Sequence, residues 1–205
     1  FLKMIVRKIY RVIYEKERMI CKAYPQLPAP YLPEDVFFVH SETLEERYPD
    51  LSPKEREDAI CKEKKAVFII GIGAKLKSGK PHDARAADYD DWVTDTGDGK
   101  KGLNGDIFVW NSVLNVSFEL SSMGIRVDKE SLLKQLEIKN EMEKTRLDYH
   151  QRLLNDKLPL TIGGGIGQSR LCMLFLRKAH VGEVQASVWS DEMIDICRKH
   201  HITLL

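Results

Sequence analysis

The run Ala66-Val67-Phe68-Ile69-Ile70 places five consecutive apolar residues between Lys65 and Gly71. A stretch this short and this rich in β-branched and aromatic residues reads as a strand, and its lack of alternation means that both faces are covered. The chain must therefore build a sheet with material packed on two sides. Two further strands, Ile107–Trp110 and Val116–Leu120, flank Asn111-Ser112-Val113-Leu114-Asn115, which is a hairpin signal; the second continues through Gly124 to Val127. Val36–Val39 reads as another short strand, leading to His40-Ser41.

Helical periods surround these strands. Leu2, Val6, Ile9, Ile13 and Ile20 form one apolar stripe over residues 2–23, an amphipathic helix laid on a core. Pro25, Pro28, Pro30 and Pro33 then hold the chain extended. Ser52-Pro53-Lys54-Glu55 is a helix start with an N-cap, a proline at N1 and a capping-box glutamate, and that helix runs to Lys64. Asp128 caps a helix over 129–137, a second helical stretch covers 143–154, and an apolar helix follows Gly167 from Gln168 to Arg177. A strand at 184–188 and a helix at 191–200 close the chain. Between Gly71 and Gly105 all periodicity vanishes, and a loop of this length is usually functional or mobile. The mixed order of hairpin strands and helices predicts an α+β fold.

The 205 residues correspond to one domain with at most a small appendage. Lys and Arg total 32 against 31 for Asp and Glu, which removes the basic surplus that sequence-blind nucleic-acid binding requires. No apolar run approaches the ~20 residues of a membrane span. Cys21, Cys61, Cys172 and Cys197 form no CxxC and no zinc-ligand spacing, so free, mostly buried thiols in a cytoplasmic protein are expected. The first residues lack the apolar core and cleavage pattern of a secretory signal. The chain opens on Phe1 rather than Met, which raises the question of a longer polypeptide.

Two phosphate-loop patterns fail. Gly73-Ala74-Lys75-Leu76-Lys77-Ser78-Gly79-Lys80 has one residue too many for a Walker A loop, and Pro81 stands where the magnesium-binding hydroxyl belongs. Gly163-Gly164-Gly165-Ile166-Gly167 is followed by Gln168, not by the third glycine of a dinucleotide fingerprint. The second cluster still precedes a helix, where bare backbone and free N–H groups suit an anion, and Arg170 lies in the first turn. A tight packing turn with a solvated Arg170 is the alternative.

Acidic residues supply the second clue. A hairpin turning at Ser112–Val113 sets Asp106 roughly opposite Glu119, and two facing carboxylates require a cation, for which magnesium is suited. Alternatively Asp106 caps its strand and Glu119 pairs with Arg126 or a lysine. Asp88-Tyr89-Asp90-Asp91-Trp92 is a third acidic cluster, with aromatics that a purely solvated turn would not keep. His40, His82 and His150 belong to no motif and read as surface or capped histidines.

Taken together, several long motifs are familiar. Phe38-Val39-His40-Ser41, Arg47-Tyr48-Pro49-Asp50-Leu51, His82-Asp83-x-Arg85-Ala86, Asp88–Trp92, Gly102-Leu103-Asn104-Gly105-Asp106-Ile107, Phe118–Val127 and Thr161–Leu171 occur collinearly. The sequence resembles the ammonia-dependent asparagine synthetases of the A type, the aspartate–ammonia ligases, over about residues 27–189, with divergence expected beyond Trp189. The resemblance implies an antiparallel sheet flanked by helices, the catalytic fold of class II aminoacyl-tRNA synthetases. It implies a cytoplasmic homodimer using ATP, Mg2+, L-aspartate and ammonia, and neither nucleic acid nor membrane. It places Glu119, Leu120, Gly165, Gly167 and Arg170 around ATP, and Asp90, Ser121, Ser122 and Arg126 around aspartate and its adenylate. Arg170, Asp90 and Arg126 become the candidate catalytic groups, with Asp106 and Glu119 as metal ligands. Relatives of this kind carry a further N-terminal part, with a dimer interface and an α-phosphate arginine, so this chain corresponds to a C-terminal portion of the catalytic domain. A paralogue that binds without turnover and a fragment of an aspartyl- or asparaginyl-tRNA synthetase are the rival readings.

Overall fold

A computed structural model describes residues 1–205. Helix α1 (Leu2–Ala23) buries Val6, Tyr10 and Ile13 along its apolar stripe, and with them Glu17. The proline-rich connection is fastened to it by Tyr10, whose Oη donates to the Pro33 carbonyl at 2.6 Å. Strand β1 (Phe37–His40) leads directly into α2 (Ser41–Arg47), a helix that local pattern did not predict. Its start depends on an unusual cap: Nδ1 of His40 accepts from the Glu42 N–H at 3.2 Å. Helix α3 (Pro53–Lys64) has the expected reciprocal cap between Ser52 and Glu55. Strand β2 (Ala66–Ile70) follows, with Ala66, Val67, Phe68 and Ile69 wholly buried.

Strands β3 (Asn104–Asn111), β4 (Val116–Ile125) and β5 (Ile162–Ile166) complete a five-stranded sheet ordered β1-β2-β3-β4-β5. The α+β class holds, but the sheet is mixed: β1 pairs with β2 in parallel, because α2 and α3 form a crossover between them, and the remaining pairs are antiparallel. Between β4 and β5 the chain makes a helical excursion, α4 (Lys129–Lys139) and α5 (Asp148–Leu154), whose Leu132, Leu136 and Leu153 pack on Ala87 and Val127. Helices α6 (Gln168–Leu176) and α7 (Asp191–Lys199) follow β5. One face of the sheet, with Phe68, Ile107, Val109, Leu120 and Met123, packs on α1 and on Leu174 of α6. The other face, through Val67, Ile69 and Phe108, is covered by Leu44 of α2 and by Ile60 and Cys61 of α3. No helix is long and apolar enough to cross a membrane.

Three expectations need correction. The hairpin does not turn at Ser112–Val113. Asn111 pairs with Val116 across a four-residue loop, with Asn115 left-handed at φ 58° and the Asn111 side chain accepting from the Val113 and Leu114 N–H groups. That loop sets Glu119 opposite Phe108, and a bulge between Ile107 and Phe108 then moves Asp106 on to face Ser122. No strand forms at 184–188: a single 3-10 turn, Val181–Glu183, leads into irregular chain, since the alternation of Val184, Ala186 and Val188 cannot make a strand without a partner edge. The helical stretch at 143–154 is divided, because Leu147 is extended (φ −72°, ψ 151°) between a 3-10 turn at Met142–Arg146 and α5. The four cysteines are free as expected, though only Cys61 and Cys197 are buried and Cys172 is exposed.

Candidate active site

The bulge in β4 organises the site. Leu120 and Ser121 fall where one residue would normally stand, and the Leu120 carbonyl accepts from the Gly167 N–H at 2.8 Å. That bond draws the start of α6 against β4. A cavity of about 540 Å³ opens there, lined by Glu119, Leu120, Ser121, Ser122, Gly165, Gly167 and Arg170 together with Ile166, Gln168, Ser169 and Val181. Gly165 and Gly167 of the glycine cluster form its floor. Gly165 pairs with Ser122 across the sheet, and a Cβ at Gly165 would meet nothing within 4 Å; one at Gly164 would come within 2.5 Å of the Met123 Cβ. The sheet is therefore packed behind Gly164 and open in front of Gly165.

Arg170 is in the first turn of α6, whose N-cap, Gly167, offers no side chain to the free N–H groups. Its Nη1 donates to the Glu119 carbonyl at 3.0 Å and lies 3.4 Å from Oε2 of the Glu119 carboxylate. Glu119 thus pairs with Arg170, not with Arg126. Arg126 pairs instead with Asp90, and it lies over the Tyr89 ring at 3.6 Å from the centroid and directly beside Gly163. Asp90 forms a single antiparallel bridge with Arg126 just past the end of β4: Val127 N–H donates to Tyr89 O at 3.0 Å, and Asp91 N–H to Ile125 O at 2.9 Å. The Asp90 carboxylate is 1% exposed, and burial raises its pKa against the opposing pull of Arg126 and Arg85. Its Oδ2 has no hydrogen-bond partner.

Arg85 is the residue that sequence reasoning left out of the site. It was visible within His82-Asp83-x-Arg85-Ala86, but nothing local shows that the loop folds back across β3. There it pairs with Asp106, while also reaching Asp83 at 3.1 Å. Charges consequently alternate across this face, Arg126 with Asp90, Arg85 with Asp106, and Arg170 with Glu119. Asp106 and Ser122 face each other, and Asp106 feels the Glu119 charge, so the two carboxylates share a face without being paired. The histidines lie outside this row. His40 is a cap, as expected, but none of the three is at the surface. His82 is buried at 3.1 Å from Glu57, and His150 is buried at 3.2 Å from Asp88.

Burial, reinforced by Glu119 and opposed by Arg85, pushes the Asp106 carboxyl up from 3.8 to about 6. Between these values the folded chain holds a proton that the unfolded chain has lost. The group's contribution is therefore fully present below about pH 4 and is lost as pH rises through about 6. Asp106→Asn removes this dependence. Urea unfolding should show the variant gaining on the wild type by on the order of 2 kcal/mol between pH 4 and 7. A difference that stays flat with pH would contradict the assignment.

An aspartyl-tRNA synthetase from Entamoeba histolytica superposes with a TM-score of 0.58 at 19% identity, covering 88% of this chain and 38% of that one. The asparaginyl-tRNA synthetase of the same organism in complex with asparaginyl-adenylate gives 0.54 at 17% identity, over 90% and 41%. These likenesses establish the class II synthetase-like fold.

Sequence relatives are much nearer. Aspartate–ammonia ligases of Clostridium tetani and Bacteroides fragilis are 58% and 56% identical over all 205 residues, which make up 57% and 59% of those proteins. That of Parabacteroides distasonis is 58% identical over 94% of this chain and 56% of its own length. The chain thus spans somewhat more than half of the relatives it matches, and the similarity does not fade beyond Trp189 as expected. The family profile described as aspartate-ammonia ligase matches residues 1–201. With that span and those identities, the cavity above belongs to a chain of the aspartate–ammonia ligase family.

Proposed function

We propose that this chain is the C-terminal portion of a single class II synthetase-like catalytic domain that makes L-asparagine from L-aspartate, ammonia and ATP. The observation that carries the reading is the convergence of Glu119, Ser122, Gly165, Gly167 and Arg170 on one cavity beside the Arg126–Asp90 pair. A β-carboxylate is a poor electrophile. Attack of its oxygen on the α-phosphorus of ATP breaks the bond to pyrophosphate and leaves a β-aspartyl-adenylate. Attack of ammonia on the acyl carbon then expels AMP and releases a proton.

Each stage asks for something these residues offer. The bare Gly165 floor lets a flat base lie against the strand. The free N–H groups of α6 and the Arg170 fork meet phosphate oxygens as charge moves onto them. Asp90 and Arg126 present one anion and one cation to a zwitterionic amino acid. For magnesium, the accessible Glu119 carboxylate and the unpartnered Oδ1 of Asp106 on the same face form a suitable donor pair. The ion would neutralise phosphate charge there.

The test is asparagine and AMP formation by the purified polypeptide with L-aspartate, ATP, magnesium and ammonium. Equimolar products are expected. Binding of ATP and aspartate without product would assign a binding module, and aminoacylation of tRNA would assign a synthetase fragment. A paired substitution reads the cavity directly. Gly165→Ala should keep wild-type stability within about 0.5 kcal/mol yet weaken ATP binding at least ~10-fold, because its methyl enters the open floor. Gly164→Ala should instead lose about 1–3 kcal/mol against Met123. ATP titration calorimetry and urea unfolding of both variants measure the contrast.

A further inference from the structure

Asp90 lies in a segment without regular structure, yet its carboxylate must be held against Arg126 to within a few tenths of an ångström. β4 secures one side of residues 89–91. The other side faces α4, where Gln135 is wholly buried. Its Nε2 donates to the Ala87 carbonyl at 2.9 Å and to the Asp90 carbonyl at 3.0 Å, and its Oε1 accepts from the Trp92 N–H at 2.7 Å. Two carbonyls and one N–H leave a single way to orient the amide. No other side chain on α4 or α5 bonds to the backbone of this segment.

We infer that Gln135 is a positioning residue for the amino-acid pocket, a three-point clamp that sets where Asp90 meets Arg126. This gives the helical excursion between β4 and β5 a task in recognition as well as in packing. The inference rests on the proposed function for its ligand, but the clamp itself can be read without one. The side chain has no equivalent substitute. Methionine fills the volume but strands three buried backbone groups. Glutamate keeps the bond from Trp92 but turns an anion without hydrogens towards two carbonyl oxygens.

The test uses Gln135→Met in the full chain, with Gln135→Glu as the second variant should the first not fold. Calorimetry is expected to show the Kd for L-aspartate raised about 10- to 100-fold, as a sub-ångström to ångström misplacement would do, with the Kd for ATP changed less than about twofold. A ligand-free crystal structure of the variant should show the Asp90 carboxylate displaced from Arg126. Leu132→Ala, on the same helix but in the apolar cluster, controls for general damage. It should lower the Tm at least as much while leaving the ratio of the two affinities unchanged. Wild-type binding of both ligands by the Gln135 variant, equal weakening of both, or an unmoved Asp90 carboxylate overturns the assignment. Should the wild type bind no aspartate, the proposed function fails and the ligand-free geometry alone decides: displacement supports the clamp, and an unmoved carboxylate rejects it.

Discussion

Arg126→Leu is expected to destabilise the fold in a pH-dependent way and, on the function proposed above, to abolish aspartate-dependent chemistry. The guanidinium is held on three sides, by the Asp90 carboxylate, the Tyr89 ring and the backbone at Gly163. Its removal leaves Asp90 buried, with Arg85 as the cation still acting on it. Breaking a buried pair from one side costs about 3–5 kcal/mol, most of it from the stranded charge. The carboxyl, already raised by burial, rises further once its main counter-charge is gone.

A raised folded pKa means that the group stabilises at low pH and that this contribution is lost as pH rises through the new value. The deficit relative to wild type must therefore be larger at pH 7 than at pH 4. Urea unfolding at the two pH values measures it. The double variant Asp90→Asn/Arg126→Leu should recover much of the stability and none of the aspartate binding, because the coupling between neighbours is not additive. Arg126→Lys should not rescue binding, since an ammonium neither forks nor stacks as the guanidinium does. A deficit that does not change with pH, or full aspartate affinity in Arg126→Leu, would remove Arg126 from the pocket.

What could be read from the sequence was what is encoded locally. The doubly buried β2, the Ser52–Glu55 cap and the glycine cluster ahead of α6 each depend on residues within a few positions of one another. The residues that meet at the cavity were legible for the same reason, since Glu119–Arg126 and Gly163–Arg170 are contiguous motifs that the sheet lays side by side. The register of Asp106 was not legible. It depends on the four-residue loop after Asn111 and on a bulge at Leu120, held by a bond from Gly167, 47 residues later in the sequence. Arg85 and Gln135 were missed because their partners come from other elements: Arg85 reaches β3 from a loop, and Gln135 reaches that loop from α4. The valines at 184 and 188 made the opposite error, since local propensity was present and a partner strand was not.

Glu17→Ala is expected to lose about 3–5 kcal/mol of stability, a large share of what a domain of this size has in total. The signal was present in the sequence. Val6, Tyr10 and Ile13 mark the buried stripe of α1, and Glu17 occupies the next position on it. Its carboxylate is fully buried and accepts from Arg177 Nη2 at 2.6 Å, from the Tyr31 N–H at 3.3 Å and from the Leu32 N–H at 3.1 Å. Arg177, left-handed at φ 55° beyond the end of α6, lies over the Tyr31 ring at 4.5 Å, and the Tyr31 hydroxyl donates to the Trp110 carbonyl at 2.8 Å. One carboxylate thereby ties α1, the proline-rich connection, β3 and the far end of α6 together. Truncation strands a buried guanidinium and two backbone N–H groups at once. Glu17→Leu/Arg177→Met removes both charges and should regain most of the ion-pair part of the loss, while the two N–H groups keep the variant below wild type. Denaturant midpoints with an unchanged m-value would give both numbers. Because α6 also carries Arg170 at its opposite end, Glu17→Ala should weaken ATP binding only where α6 itself has shifted. A loss below about 1 kcal/mol would mean that the pair contributes no more than a surface contact.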